Sequence, residues 1–146
     1  MNPSDTVAAY INLFNCLPQL NHGSLQRLTA PNLRFIDPFH DVAGHAKVMQ
    51  VLQHFAAQVK QPHFKVTHIA WSGSVCLLRW DFSGELPLIG AWNFPGVSEL
   101  HLDSQGLICL HRDHWDAGLY FYQRLPLLGR LLHWIRRRIQ RSSTPK

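Results

Sequence analysis

The chain has 146 residues, 46% of them hydrophobic and 16% charged, which excludes an intrinsically disordered chain and fits one domain with its own core. The formal net charge of +5 is unevenly placed: residues 1–123 hold 7 Lys/Arg and all 9 acids, whereas residues 124–146 hold the other 7 basic side chains and no acid. The body is therefore not a basic surface for nucleic acid, and no apolar run approaches the ~20 residues of a membrane span.

In chain order, Asp5 to Leu17 reads as a helix, with Ser4 as its N-cap and Val7, Tyr10, Ile11, Phe14 and Leu17 at helical spacing. A short helix over Ser24 to Thr29 follows the break at Pro18 and Asn21-His22-Gly23. Pro31 ends it and starts a short strand, Leu33 to Ile36, closed by Asp37-Pro38 and a loop through Gly44. His45 to Val59 is the clearest helix, with Val48, Val51, Leu52, Phe55 and Val59 in one stripe.

The period then changes to two. Strands are expected over Phe64 to Trp71, Val75 to Ser83, Ala91 to Asp103 (bent at Pro95-Gly96) and Leu107 to Trp115. Turns fall at Ser72-Gly73, at the loop Gly84 to Gly90 and at Asp103-Ser104-Gln105-Gly106. Asp116 to Gln123 reads as a short helix. Pro126 starts a last one, with Leu128, Leu131, Leu132, Ile135 and Ile139 along one side and Arg130, Arg137 and Arg141 on the other. Only Ser142 to Lys146 reads as a loose end. Helices followed by an antiparallel meander predict an α+β domain, its helices on one face of a curved sheet with room for a cavity between.

Cys16, Cys76 and Cys109 are widely spaced with no CxxC, so all three are expected to be reduced core thiols. The ten histidines contain no HExxH, and His111 and His114 point to opposite faces of a strand, so no metal site is expected.

Phe35-Ile36-Asp37-Pro38 before the long helix, Gly44 opening it, Leu102 to Ile108 and His111-Arg112-Asp113-His114-Trp115-Asp116 ending the sheet form an ordered set. That set resembles the nuclear transport factor 2-like superfamily, in particular its SnoaL-like and ketosteroid isomerase-like branch. The resemblance implies a cone-shaped curved antiparallel sheet with helices on its concave face, over residues 1–123, and a homodimer. The superfamily hosts isomerases, cyclases, dehydratases, epoxide hydrolases and binding proteins, so the fold alone does not choose among them.

Two enzyme patterns carry over by resemblance. In ketosteroid isomerases an Asp-Pro after the first strand supplies the general base and a first-helix Tyr donates to the developing oxyanion; Asp37-Pro38 and Tyr10 match these roles, with Ser98 where that enzyme has a protonated Asp. In limonene epoxide hydrolase an Asp-Arg-Asp set serves. Arg79 and Asp81 with Asp113 match it, provided that Arg79 and Asp81 face the cavity rather than solvent. The water-holding Tyr and Asn of that enzyme fall at Phe35 and Asp37. A dehydratase pairing His40 or His111 with Asp37 is a third reading. Phe35, His40, Trp80, Ser98, His111 and Trp115 are expected to bind substrate. Asp37 also has a plainer reading as a turn starter, and Tyr10 as a core tyrosine.

The expectation is a cytoplasmic enzyme, since the N-terminus lacks a secretory pattern, using cofactor-independent acid–base chemistry on a polyketide-, terpene- or lipid-like molecule. The alternative is a non-catalytic binding or adaptor protein of the same fold. Residues 124–146 have three readings: a helix packed on its own domain or a partner copy, a helix on an anionic membrane surface, or a weak nucleic-acid arm with no reader of bases.

Overall fold

The computed structural model describes residues 2–142. Helix α1 spans Pro3–Phe14, two residues earlier than the periodicity places it, because Asn2 rather than Ser4 is the cap: its side chain accepts from the Ser4 N–H and Pro3 occupies the first turn. Helix α2 spans His22–Leu28 and opens on a reciprocal capping box between Asn21 and Ser24. Strand β1 covers Thr29–Ile36. Pro31 thus lies inside a strand, tolerated where the pairing register breaks between Thr29 and Arg34. The loop expected after Pro38 contains a short strand β2, Asp41–Ala43, paired antiparallel with β1.

Helix α3 spans His45–Gln58 and follows Gly44, whose φ of +88° is the reason a glycine stands there. Strands β3 (Lys60–Ser72), β4 (Val75–Leu86) and β5 (Gly90–Leu102) run longer than the alternation suggests, and β6 is Ile108–His114. The short helix α4, Ala117–Tyr120, is capped by Asp116, and a 3₁₀ turn at Tyr122–Arg124 leads to α5, Leu128–Ser142. The loose end expected beyond Ser142 lies outside the described residues.

The six strands form one curved sheet in the order β2-β1-β6-β5-β4-β3. β3 to β6 make the expected antiparallel meander, but β1 pairs with β6 in parallel. The sheet is therefore mixed. α3 and the meander together form the long crossover that a parallel pair requires. The helices cover the concave face, as the superfamily resemblance implies. Val7, Tyr10 and Leu13 of α1 and Val48, Met49 and Leu52 of α3 are buried against Cys76, Leu78, Trp80 and Phe82 of β4 and Trp92, Phe94 and Leu100 of β5.

Two further expectations are corrected. Cys16 is exposed, just past the end of α1; Cys76 is buried, its thiol pushed up to about 11 by burial, and Cys109 is half-buried with its Sγ near the His101 carbonyl. And α5 does not return to its own domain: Leu131, Trp134 and Ile135 are 53%, 56% and 39% exposed. No helix among the described residues is long and apolar enough to cross a membrane.

Candidate active site

Strand parity decides which side chains meet. On β4 the buried residues are Cys76, Leu78, Trp80 and Phe82, so Arg79 and Asp81 face the other way. They pair with each other on the outer face, Arg79 Nη1 donating to Asp81 Oδ1 at 2.9 Å, with side chains 38% and 53% exposed. The expected Asp-Arg-Asp cluster is thus not assembled around the cavity. Such an exposed pair contributes little, and Arg79→Ala is expected to change stability by less than about 0.5 kcal/mol in urea denaturation and to leave activity unchanged.

On β6 the inward residues are His111 and Asp113. In the parallel pairing Phe35 stands beside His111 and Ile36 beside Arg112, and Asp37 follows directly on the first strand as Asp113 does on the second. Two carboxylates from different ends of the sequence thereby share one end of the sheet. Both reach a cavity of about 80 Å³ whose wall is aromatic, with Phe35, Phe55, Phe64, Trp80, Trp92 and Trp115 among its lining. Phe94 stacks on Trp115 at 4.3 Å, and Phe39, 41% exposed, stands edge-on to Trp115 at the rim.

Asp113 is held by a continuous chain of hydrogen bonds. Trp80 Nε1–H donates to Ser98 Oγ at 2.8 Å, and Ser98 Oγ–H donates to Asp113 Oδ1 at 2.5 Å. Ser98 is placed to do so because it is the cross-strand partner of Asp113. His111 Nε2 lies 2.7 Å from the same oxygen, and Tyr10 Oη lies 3.0 Å from His111 Nδ1. Burial, and after it the negative charge of Asp113, push the Tyr10 hydroxyl far above its ordinary pKa of 10.0, so it keeps its proton. With a neutral imidazole whose Nε2–H faces the carboxylate, Tyr10 donates to Nδ1. The two bonds that reach Asp113, from Ser98 and His111, both fall on Oδ1. Among the described residues Oδ2 has no protein donor and is not fully buried, and Asp113 lines the aromatic cavity, a smaller space shared with Tyr10 and His111, and an open groove with Ile36, Pro38 and Arg112.

Tyr10 is thus corrected from an expected substrate-facing donor to a buried support. It is 1% exposed and lines a smaller space of about 30 Å³ that shares Phe14, Phe64, Trp80 and Asp113 with the cavity. The arrangement has a pH signature. In the unfolded chain Tyr10 ionises near pH 10, while in the folded chain it stays protonated. Its stabilising contribution is complete below that pH and is lost at up to about 1.4 kcal/mol per pH unit above it. Tyr10→Phe is expected to flatten this alkaline loss in urea melts, while costing ~1–3 kcal/mol at neutral pH because His111 Nδ1 is left without its donor.

Asp37 reaches the cavity but is already engaged. Its Oδ1 accepts from the Phe39 and His40 backbone N–H groups at 2.8 and 2.7 Å, and both oxygens lie within 3.1 Å of His40 Nδ1. This is the Asx turn that Asp-Pro favours, and it orients His40, whose side chain is 37% exposed at the cavity rim. The carboxylate expected to be the free base is therefore the one bound into a turn, and the freer one is Asp113. Of the expected substrate-binding residues, Phe35, His40, Trp80 and Trp115 line the cavity, while Ser98 and His111 lie behind Asp113 and line the smaller space. Missed from the sequence were the cavity-lining Phe39, Phe55, Phe64 and Phe94; only their aromatic character was visible there.

The family model described as the SnoaL-like domain matches residues 7–111. No curated protein matches the chain. Among solved structures, the chain is similar to a hypothetical protein of ketosteroid isomerase-like fold from Catenulispora acidiphila in complex with trimethylamine, at 16% identity and a TM-score of 0.70, covering 83% of this chain and 93% of that one. It is also similar to a LEH-like epoxide hydrolase from M. tuberculosis at 18% identity and a TM-score of 0.66, covering 88% and 93%. A candidate SnoaL-like polyketide cyclase from Jannaschia sp. CCS1 matches at 13% identity and a TM-score of 0.67, covering 78% and 85%. At such identities the likeness concerns the fold. The family match covers more than half of the chain, from α1 through the inward-facing His111: the chain belongs to the SnoaL-like domain family.

Proposed function

We propose that the chain is an acid–base enzyme that moves a proton on a small apolar molecule, with Asp113 as the base. The observation that carries this reading is the asymmetry of the Asp113 carboxylate, which lines an aromatic cavity: Oδ1 is clamped by Ser98 and His111, and Oδ2 has no donor among the described residues. A carboxylate so fixed cannot turn away from a bound C–H, and positioning of this kind is a main contribution of a general base.

The second carboxylate–imidazole pair supplies a partner. Asp37 holds His40 Nδ1, so Nε2 is the nitrogen free to exchange protons with a substrate at the rim. Asp113 would take a proton from carbon, and His40, doubly protonated beside the Asp37 carboxylate, would give its Nε2 proton to oxygen or to a neighbouring carbon; exchange with solvent then removes the proton from Asp113 and restores one to His40, the net chemistry of an isomerase or of an intramolecular ring closure. The outward orientation of Arg79 and Asp81 disfavours the epoxide-opening route, which needs an acid and a base of that set in one cavity. The aromatic lining suits a small ring-bearing apolar molecule, and at about 80 Å³ the cavity would take only one ring of a larger polyketide-, terpene- or lipid-like substrate.

The test is exchange of α-protons of a panel of aryl and terpenoid ketones in D₂O, followed by NMR. Wild-type protein is expected to accelerate exchange for at least one ketone. Ketones that bind, as read by quenching of the cavity tryptophans, yet exchange at the solvent rate would overturn the enzyme reading and leave a binding protein.

A further inference from the structure

Helix α5 presents a surface that the proposed chemistry does not use. Leu128, Leu131, Leu132 and Ile135 recur at helical spacing along one side, and Leu128, Leu131 and Ile135 are 41%, 53% and 39% exposed. Arg136 and Arg138 flank that stripe, and Arg130, Arg137 and Arg141 lie opposite it. No acid occurs from residue 124 onward. Trp134 lies beside the stripe, 56% exposed, with the Arg138 guanidinium 5.4 Å from its ring centre.

The root of the helix is fixed rather than loose. Arg124 donates from Nη1 to the Ala91 carbonyl at 2.7 Å and from Nη2 to the Ile89 carbonyl at 2.8 Å. This ties the segment before α5 to the β4–β5 turn, whose Leu88 is 80% exposed, as is Leu127 at the helix entry. Gly129 lies so close to the Gln123 carbonyl that a Cβ would sit 2.2 Å from its oxygen, which locks α5 onto the 3₁₀ turn before it. Exposed leucines of two separate segments thus belong to one end of the molecule.

We propose that α5, with the Leu88 turn at its root, docks the protein on an anionic phospholipid bilayer, the helix lying in the plane of the interface. The apolar stripe would enter the acyl boundary, the flanking arginines would meet lipid phosphates, and Trp134 would sit at headgroup depth. Charge complementarity selects this occupant. Two copies of α5 joined through the stripe would set Arg136 and Arg138 of each helix beside their counterparts, with no acid on the helix to pair them. A nucleic acid would use the arginines and leave the stripe in water. Docking would also bring the cavity close to the lipid, since Phe39 at its rim packs on Phe121 and Tyr122 of the segment that carries α5.

The test uses the full chain and sucrose-loaded vesicles of phosphatidylcholine alone or with ~30% phosphatidylserine. Co-sedimentation is expected to be at least tenfold stronger with phosphatidylserine, and to fall steeply with added salt. The double substitution L131Q/I135Q, at exposed positions, is expected to weaken it about tenfold with an unchanged near-ultraviolet spectrum. Three outcomes would each overturn the proposal: equal binding to both vesicles, no sedimentation with either, or full binding by the double variant. Loss of a solution dimer in that variant, without vesicle binding by wild type, would assign the stripe to a second copy. Binding to duplex DNA or RNA without vesicle binding would also overturn the proposal.

Discussion

Asp113→Asn is expected to lower the rate of ketone proton exchange by about 10²–10⁴-fold, the usual contribution of a positioned general base. The substitution is a clean one here. The amide oxygen can still accept from Ser98 Oγ and His111 Nε2, so the clamp on that side persists, and only the position without a protein donor changes from a basic oxygen to an NH₂. Ligand binding should survive, because the aromatic wall is untouched. Ser98→Ala is expected to have a smaller effect on rate, since it frees Asp113 to rotate without removing its basicity. It should also cost ~1–3 kcal/mol of stability, because the buried Trp80 Nε1–H loses its acceptor. Turnover by Asp113→Asn at the wild-type rate would remove Asp113 from the chemistry and return the question to Asp37 and His40.

Gly96→Ala is expected to be the most damaging single-methyl addition to the sheet. An ideal Cβ at this position would lie 2.2 Å from Cη2 and 2.4 Å from Cζ2 of Trp80, its cross-strand partner, so the indole lies flat in a slot that only glycine leaves open. Trp80 is 4% exposed and flanked by Phe64 and Phe94, so the ring can give way only into the cavity it lines. Overpacking of this kind costs typically ~1–3 kcal/mol, and more when a hydrogen bond such as Trp80 to Ser98 is lost with it. At this chain size each kcal/mol corresponds to a drop in Tm of about 2–4 °C. The mechanism is checked by a double-mutant cycle with Trp80→Phe. The smaller ring should relieve the clash, giving a favourable coupling above ~0.5 kcal/mol. A Gly96→Ala protein that melts with wild type would show that the slot does not confine the ring.

Much of the fold was legible in the sequence because two periodicities change over once, near Val59. The α3 stripe and the alternation along β4 to β6 locate the long helix and the meander, and the hairpin turns follow from Gly73 and Gly106, both with positive φ. Helix starts were less accurate, because several side chains near Asn2 and Asn21 can cap and only geometry selects one. The site was half legible. Asp37, His40, Phe35, Trp80, Trp115 and Asp113 were named and meet in one cavity, yet their roles were distributed differently from what the resemblance implied.

By itself, the sequence determined the α+β class, the mildly acidic body and the acid-free amphipathic end, since composition and periodicity depend only on the order of residues. Tertiary structure alone decided three things. It set the parity of β4, because Arg79 and Asp81 satisfy each other equally well facing solvent or cavity until Trp80 is seated against Gly96. It paired β1 in parallel with β6, a contact across more than 70 intervening residues that no local pattern records, and so brought Asp37 to the same end of the sheet as Asp113. And it set the different environments of those two carboxylates: a tight local turn occupies Asp37, whereas strand register gives Asp113 its partners on one oxygen and leaves the other without a donor among the described residues.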